Sequence, residues 1–137
     1  MHKVREQRNR RAKREPTSRY SSHPKPAMNP QLLREIDALH AQLCDGLADP
    51  KRIALLYALR DGETTVNQLA ETLGLPQATV SRHLKILRER NLVNARRDGM
   101  NVYYSLANEK ILDALDLLRQ VLNDNLNRSA TLAKAIA

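Results

Sequence analysis

Apolar residues in the middle of the chain recur at the spacing of an α-helix. Val80, Leu84 and Leu87 fall at positions i, i+4 and i+7, which predicts one buried helix face. The next position of this stripe is polar Asn91, a residue type that tolerates the left-handed conformation of a helix cap, so we expect the helix to end there. The apolar pattern resumes off register at Leu92, which indicates that a different element follows.

A shorter helix and a tight turn are expected just before this helix. Thr65 and Gln68 have the spacing of a capping box, and the helix that they begin is expected to run to about Leu73. Gly74 tolerates the left-handed conformation that ends a helix, and Pro76 has the fixed backbone angle of a helix start. Two helices joined by so short a turn predict a helix-turn-helix.

Two β-rich runs follow the second of these helices. Residues 92–97 and 101–106 surround Asp98-Gly99, a dipeptide that favours a two-residue hairpin turn. Alternate residues of the second run are expected to face the helices: Val102, Tyr104 and Leu106. A hairpin in this position is the wing of a winged helix-turn-helix.

The solvent-facing side of the second helix carries groups that contact base edges and phosphates. The N-terminal part of such a helix enters the major groove, where Arg pairs with guanine and Gln with adenine, so Arg82 and Gln77 are expected to read bases. The complete predicted DNA-binding set is Gln77, Thr79, Ser81, Arg82, His83, Lys85, Arg96 and Arg97.

Three members of this set have alternative interpretations. Arg96 and Arg97, beside the hairpin turn, either contact the DNA backbone or the adjacent minor groove, or are only solvated charges. Their place after a helix-turn-helix favours DNA contact. His83, near the buried edge of its helix, is expected to bond a phosphate or a backbone group rather than a metal.

Two further helices are expected to flank the DNA-binding unit. The first ends before Asp49-Pro50, which begins a helix over residues 51–59, and Asn108 caps the last one. Apolar residues of the last helix cover more than one face, and a small domain cannot bury so wide a surface alone. We therefore expect a homodimer. Its predicted interface comprises Leu32, Ile36, Leu39, Leu43, Leu115, Leu118 and Leu122.

The fold class that follows is mainly α (α+β): a winged helix-turn-helix of about five helices with a two-stranded β-hairpin wing. Residues 1–28 are expected to form a flexible basic arm, and residues 29–126 the DNA-binding and dimerisation domain. Residues 127–137 either extend the last helix or fray.

Charge is concentrated in the N-terminal arm. Residues 1–27 carry nine Lys or Arg and two Glu, a net charge of +7, whereas residues 28–137 carry only +1. The arm either attracts DNA through its phosphates or is a dispensable extension, with Met28 as an alternative start. An aromatic content of 3% argues against RNA-binding modules that stack bases on exposed rings.

Composition also bears on location. No apolar run is long enough for a signal-peptide core or a membrane span, so no membrane partner is expected. The single cysteine, Cys44, fits a reducing compartment. The predicted location is the cytoplasm.

The order of these motifs resembles the ArsR/SmtB-type winged-helix repressors. The resemblance covers about residues 32–126 and depends most on a Ser-x-His-Leu motif at 81–84 and a Tyr-Tyr-x-Leu motif at 103–106. It implies a homodimeric bacterial repressor that leaves its operator when an inducer binds. Two recognition helices would then lie about 34 Å apart on an inverted repeat.

The resemblance also implies where metal sites would lie. One family site uses a Cys-x-Cys pair, and a second uses Asp-x-His and His-x-x-Glu. The matching positions here are Thr65 and Asn67 for the first site, and Asn108, Lys110, Val121 and Asp124 for the second. Since lysine ammonium and valine cannot ligate zinc, zinc or arsenic sensing by either route is not expected.

His40 and Cys44 form a weaker candidate for a metal site. They lie one helical turn apart, and His2 or His23 of the arm could complete a ligand set. The favoured interpretation is that Cys44 is a small buried hydrophobic residue and His40 only its neighbour.

No catalytic constellation is visible in the sequence, so neither an enzyme nor a cofactor is expected. We predict a transcriptional regulator that binds double-stranded DNA sequence-specifically. It is expected to be a homodimeric repressor, released from an inverted-repeat operator by an unknown inducer. The alternative is a winged-helix module for protein contacts or for non-specific nucleic-acid binding.

Overall fold

The computed structural model describes residues 27–136, which form five helices and a small antiparallel sheet. Helix α1 (Pro30–Ala38) continues into a π-helical segment (Leu39–Cys44). The other elements are α2 (Pro50–Ala58), β1 (Thr64–Thr65), α3 (Val66–Leu73), α4 (Gln77–Glu89), β2 (Val93–Asp98), β3 (Asn101–Leu106) and α5 (Lys110–Ile136). This order confirms the predicted winged helix-turn-helix. The predicted basic arm, residues 1–28, lies outside the described residues except for its last two.

Local side-chain chemistry sets the ends of the helix-turn-helix as the sequence predicts. Thr65 Oγ1 accepts a hydrogen bond from the Gln68 backbone N–H at 3.3 Å, and Gln68 Oε1 accepts one from the Thr65 N–H at 3.3 Å. Gly74 ends α3 with φ +64°, and Asn91 follows α4 with φ +58°. The capping box and both left-handed residues are therefore confirmed.

Polar caps also begin the flanking helices. Asp49 Oδ1 accepts from the Lys51 N–H at 2.7 Å, a bond that lowers the pKa of the Asp49 carboxyl. Asn108 Oδ1 accepts from the Lys110 N–H at 3.0 Å. Both predicted caps are confirmed, because each satisfies an N–H that the first helical turn leaves unpaired.

The core is aliphatic and joins every helix after α1 to the sheet. Val80, Leu84 and Leu87 have no exposed surface, which confirms the predicted buried face of α4. Leu115, predicted to lie in a dimer interface, is only 5% exposed because the first turns of α5 pack against the body of the domain. The buried set is Leu55, Leu56, Leu59, Leu69, Ala70, Val80, Leu84, Leu87, Leu92, Val93, Leu112 and Leu115.

The wing differs from the prediction in its turn and its strand count. Asp98 pairs with Asn101, so the two-residue turn is Gly99-Met100, one position later than Asp98-Gly99. Gly99 has φ +61°, and a hairpin turn of this length accepts glycine at its first central position. Strand β1 adds a third strand beside β3, giving the order β1-β3-β2. Strand β1 could not be predicted, because two residues are too few to show a recognisable period.

The first helix does not present one continuous apolar stripe. Leu32, Ile36 and Leu39 are 41 to 49% exposed, whereas Leu43 and Leu47 pack against the core. The π-helical segment contains both Leu39 and Leu43, and its wider turns change the angle between successive residues from that of an α-helix. This segment was not predicted.

The buried apolar contacts of α5 lie in its first two turns. Leu112 and Leu115 are buried, but Leu118 and Leu122 are 60 and 55% exposed, and α5 continues to Ile136. None of the helices within residues 27–136 is long and apolar enough to cross a membrane.

Candidate nucleic-acid interface

The exposed face of α4 presents the residues predicted to contact bases. Gln77, Ser81, Arg82 and Lys85 are all exposed, while Thr79 is half-buried on the flank of the helix. Pro76 is the N-cap and provides no side-chain hydrogen bond. The Thr79 N–H donates to the Pro76 carbonyl at 3.0 Å, and the N–H groups of Gln77 and Ala78 have no partner among the described residues. An uncapped, positively polarised helix start suits a phosphate group.

The two cationic groups on this face are available for a ligand. Neither Arg82 nor Lys85 forms an ion pair with any acidic residue in the described part of the chain. An arginine in this state can donate two N–H groups of its guanidinium to the O6 and N7 atoms of a guanine.

His83 lies at the half-buried edge of α4, where its ring contacts a side chain of another helix. Nδ1 of His83 lies 3.4 Å from Nη1 of Arg52 on α2. Arg52 also donates to the Gly46 carbonyl at 2.7 Å and to the Asp45 carbonyl at 3.2 Å. The sequence contains no sign of this contact, because Arg52 and His83 are 31 positions apart.

Arg96 is occupied by contacts within the wing. Its Nη2 and Nε donate to the Glu63 carboxylate at 2.9 and 3.2 Å, and its guanidinium lies 5.0 Å from the ring centre of Tyr103. The hydrogen bonds from Arg96 lower the pKa of Glu63, and the same pair raises the pKa of Arg96. Asp98 lies 3.8 Å away and adds a second carboxylate. Arg96 therefore connects the two outer strands of the sheet, and its guanidinium is already paired with carboxylates.

Arg97 points to the other face of the wing. It pairs in register with Val102, whereas Arg96 pairs with Tyr103, and successive residues of a strand point to opposite faces. Arg97 forms no ion pair with the acidic residues of the described segment. It lines a shallow depression together with Arg88 of α4, a basic residue that was not predicted. The signal that could have found Arg88 is its place about one helical turn after Lys85.

The predicted metal candidates do not form a site in the described part of the chain. His40 and Cys44 lie in the π-helical segment and are both exposed, so the interpretation of Cys44 as a buried hydrophobic residue is wrong. No cluster of three metal-ligating side chains exists among residues 27–136, and His2 and His23 lie outside that range. At one family metal position Thr65 caps α3 instead.

A polar cluster that was not predicted fastens α5 to α2. Tyr57 donates its hydroxyl proton to Asp116 Oδ1 at 2.7 Å, which lowers the pKa of Asp116. Arg60 and Arg119 lie 5.3 and 5.5 Å from the Tyr57 ring centre. These contacts hold the N-terminal half of α5 against the C-terminal end of α2.

Comparison with known proteins identifies the architecture. The sequence profile of the bacterial regulatory proteins of the arsR family matches residues 49–95, which run from the cap of α2 into β2. The HTH-type transcriptional regulator KmtR of Mycobacterium tuberculosis is 48% identical over 65 residues. The match covers 47% of this chain and about half the length of KmtR.

Two other proteins are similar over more of their length. The HTH-type transcriptional repressor SmtB of M. tuberculosis is 38% identical over 105 residues, which cover 73% of this chain and 76% of SmtB. The homodimeric winged helix-turn-helix DNA-binding domain of Mb0332 from Mycobacterium bovis, a possible ArsR-family regulator, superposes with a TM-score of 0.62. It is 28% identical, and the match covers 75% of this chain and 94% of that domain.

The exposed face of α4, the arginine-bearing wing and these similarities agree. The chain belongs to the ArsR family of bacterial regulatory proteins, which are DNA-binding transcriptional regulators with a winged helix-turn-helix and not enzymes.

Proposed function

We propose that this chain is a homodimeric transcriptional repressor that reads an inverted-repeat operator with α4. The observation that carries the proposal is the exposed face of α4, where Arg82 and Lys85 form no ion pair among the described residues and Gln77 stands at the first helical position. These residues would enter the major groove, with Arg82 reading a guanine and Gln77 an adenine. The SmtB relative is itself a repressor.

The two arginines of the wing would have different roles. Arg97, with Arg88 beside it, would neutralise backbone phosphates next to the groove that α4 enters. Arg96 would hold the wing in place through Glu63 instead of contacting DNA. This assignment replaces the expectation that both arginines contact DNA.

Two exposed apolar surfaces support a homodimer. Leu32, Ile36 and Leu39 are exposed on the first helix, and Leu118 and Leu122 on α5. Burying them against a second copy would stabilise the dimer by about 25 cal/mol for each Å² of apolar surface removed from water. A twofold dimer would place two copies of α4 about one turn of DNA apart.

The regulator would act in the cytoplasm, where bacterial DNA lies. Its release signal is expected to be neither zinc nor arsenite at the two family sites, because Thr65, Asn67, Lys110 and Val121 occupy ligand positions.

Selection of bound fragments from a random or genomic duplex library tests the proposal. We expect an enriched inverted repeat whose half-site centres are about 10 base pairs apart or a multiple of that. Binding without sequence preference would instead support a non-specific nucleic-acid-binding module. A reporter gene placed downstream of the selected site then distinguishes repression from activation. Repression supports the proposal, and activation contradicts it.

A further inference from the structure

Arg52 is the side chain at which three parts of the fold meet. It lies on α2, and its Nε and Nη2 donate to the carbonyls of Gly46 and Asp45, just after the π-helical segment. Its Nη1 lies 3.4 Å from Nδ1 of His83 on α4. One guanidinium therefore connects the end of the first helix to the helix proposed to read DNA.

The chemistry of this contact decides which nitrogen of His83 carries the proton. A guanidinium has only N–H donors, so Nδ1 of His83 must accept. A neutral imidazole that accepts at Nδ1 carries its proton on Nε2. Within residues 27–136, Nε2 has no hydrogen-bond partner, and no unpartnered polar side-chain atom is buried there, so Nε2–H reaches solvent.

The position of His83 on α4 suggests what this donor would meet. His83 follows Arg82 and lies about 100° around the helix from it, on the flank rather than at the centre of the exposed face. Side chains at the centre of a recognition helix face base edges, and those on its flanks face the phosphates that border the groove. A neutral N–H on this flank can donate to a phosphate oxygen.

We propose that Arg52 is a positioning residue that holds His83 as the Nε2–H tautomer, ready to donate to an operator phosphate. The inference rests on the proposed function, because the phosphate belongs to the operator. The same guanidinium donates to the Asp45 and Gly46 carbonyls, so the tautomer of His83 also depends on the position of the end of the first helix.

The tautomer can be measured in the free protein by long-range ¹H–¹⁵N NMR of the histidine rings at about pH 8, where an ordinary imidazole is neutral. We expect wild-type His83 to be the Nε2–H form alone and Arg52→Met to give a mixture of tautomers. Lys51→Met is the matched control, because it removes a neighbouring exposed charge and leaves Arg52 in place. An Nδ1–H form in the wild type, or a tautomer unchanged in Arg52→Met, would overturn the proposal.

Operator binding provides the second measurement. Arg52→Met and His83→Ala are each expected to weaken binding about fivefold per half-site, the effect of removing one hydrogen bond. The double variant should bind no more weakly than His83→Ala, because Arg52 acts through His83. His83→Gln, whose amide N–H replaces Nε2–H, should restore most of the affinity. Additive losses, or no rescue by glutamine, would overturn the proposal.

Two further comparisons keep the outcomes distinct. If Arg52→Met lowers the folded fraction, Arg52→Lys replaces it in the comparison, because lysine retains the charge and one donor group. The tautomer of His83 in the wild type still decides the NMR test. Loss of operator preference in Arg82→Ala, with full affinity in Arg52→Met, would overturn this inference and leave the proposed function intact. A wild type that prefers no DNA sequence would overturn both.

Discussion

Arg96 and Arg97 are adjacent in the sequence and differ in what they contact. The strand places them on opposite faces, where Arg96 meets Glu63 and Tyr103 and Arg97 meets no acidic partner in the described region. For individual residues, interactions within the fold therefore decide which positive charge remains unpaired among the described residues.

The division between base reading and backbone binding can be measured with two substitutions. Arg82→Ala is expected to cost about 1 to 3 kcal/mol on the selected operator and to relax selectivity at one position of each half-site. Arg97→Ala should weaken binding to operator and scrambled DNA alike, and should lower the salt slope by about 1 for each phosphate that Arg97 neutralises in the wild type. Fluorescence anisotropy over a salt series measures both effects. Equal losses on both DNAs in Arg82→Ala would contradict base reading.

The Glu63–Arg96 pair should make the wing sensitive to acid. The pKa of Glu63 is lowered in the folded protein, so the pair stabilises the fold near neutral pH and is lost as the pH falls through that lowered pKa. Glu63→Gln should therefore have a lower Tm than the wild type at neutral pH, with a difference that shrinks as the carboxyl becomes protonated in acid. Thermal unfolding from neutral to acidic pH is the measurement. Glu71→Gln, an exposed change on α3, is the control, and a difference independent of pH would exclude the pair as its cause.

Helix α5 changes its surroundings along its length. Leu115 belongs to the core of one copy, while Leu118 and Leu122, one and two turns later, are exposed. Among the elements of this fold, one helix thus contributes both to the core of a protomer and to its proposed interface.

This difference predicts opposite outcomes for substitutions only one turn apart. Leu115→Ala should cost about 2 to 5 kcal/mol of folding stability, because it opens a cavity in the core. Leu118→Glu together with Leu122→Glu should leave each protomer folded and convert the dimer to monomers, because buried carboxylates would lose their hydration. Sedimentation and thermal unfolding distinguish the two outcomes. A dimer that survives both glutamates would place the interface elsewhere.

In the molecule as a whole, most of the net charge lies in a segment separate from the winged helix. Deletion of residues 1–27, which carry +7, is expected to weaken non-specific DNA binding at low salt and to leave the selected operator sequence unchanged. Binding to operator and random duplex at two salt concentrations measures the effect. A changed operator preference, or loss of the dimer in sedimentation, would show that the arm contributes to structure or base reading.

The response to metal is also a property of the whole molecule. Micromolar zinc, cadmium or arsenite is expected not to release the protein from its operator, because the two family ligand sets are missing. Anisotropy during metal titration tests this, with Cys44→Ser and His40→Ala in parallel. Release of the wild type but of neither variant would mean that these two exposed residues bind the metal.

Features with local causes could be predicted from the amino-acid sequence alone. The Thr65–Gln68 capping box, the left-handed Gly74 and the Asp49 cap each depend on residues within a few positions, so the pattern was sufficient to predict them. The buried stripe of α4 could also be predicted, because its apolar residues recur with the period of an α-helix. Together with the exposed polar face, these features indicate DNA binding.

Which side chains already have partners depends on the packing of distant elements. Glu63 reaches Arg96, and Arg52 reaches His83, across 33 and 31 positions of the chain, and no sequence period relates such residues. The π-helical segment and the depth of Leu115 likewise depend on how the helices pack. Local rules set the caps of these helices. The partner of each charge depends on which elements the fold brings together, and this difference separates Arg97 from Arg96.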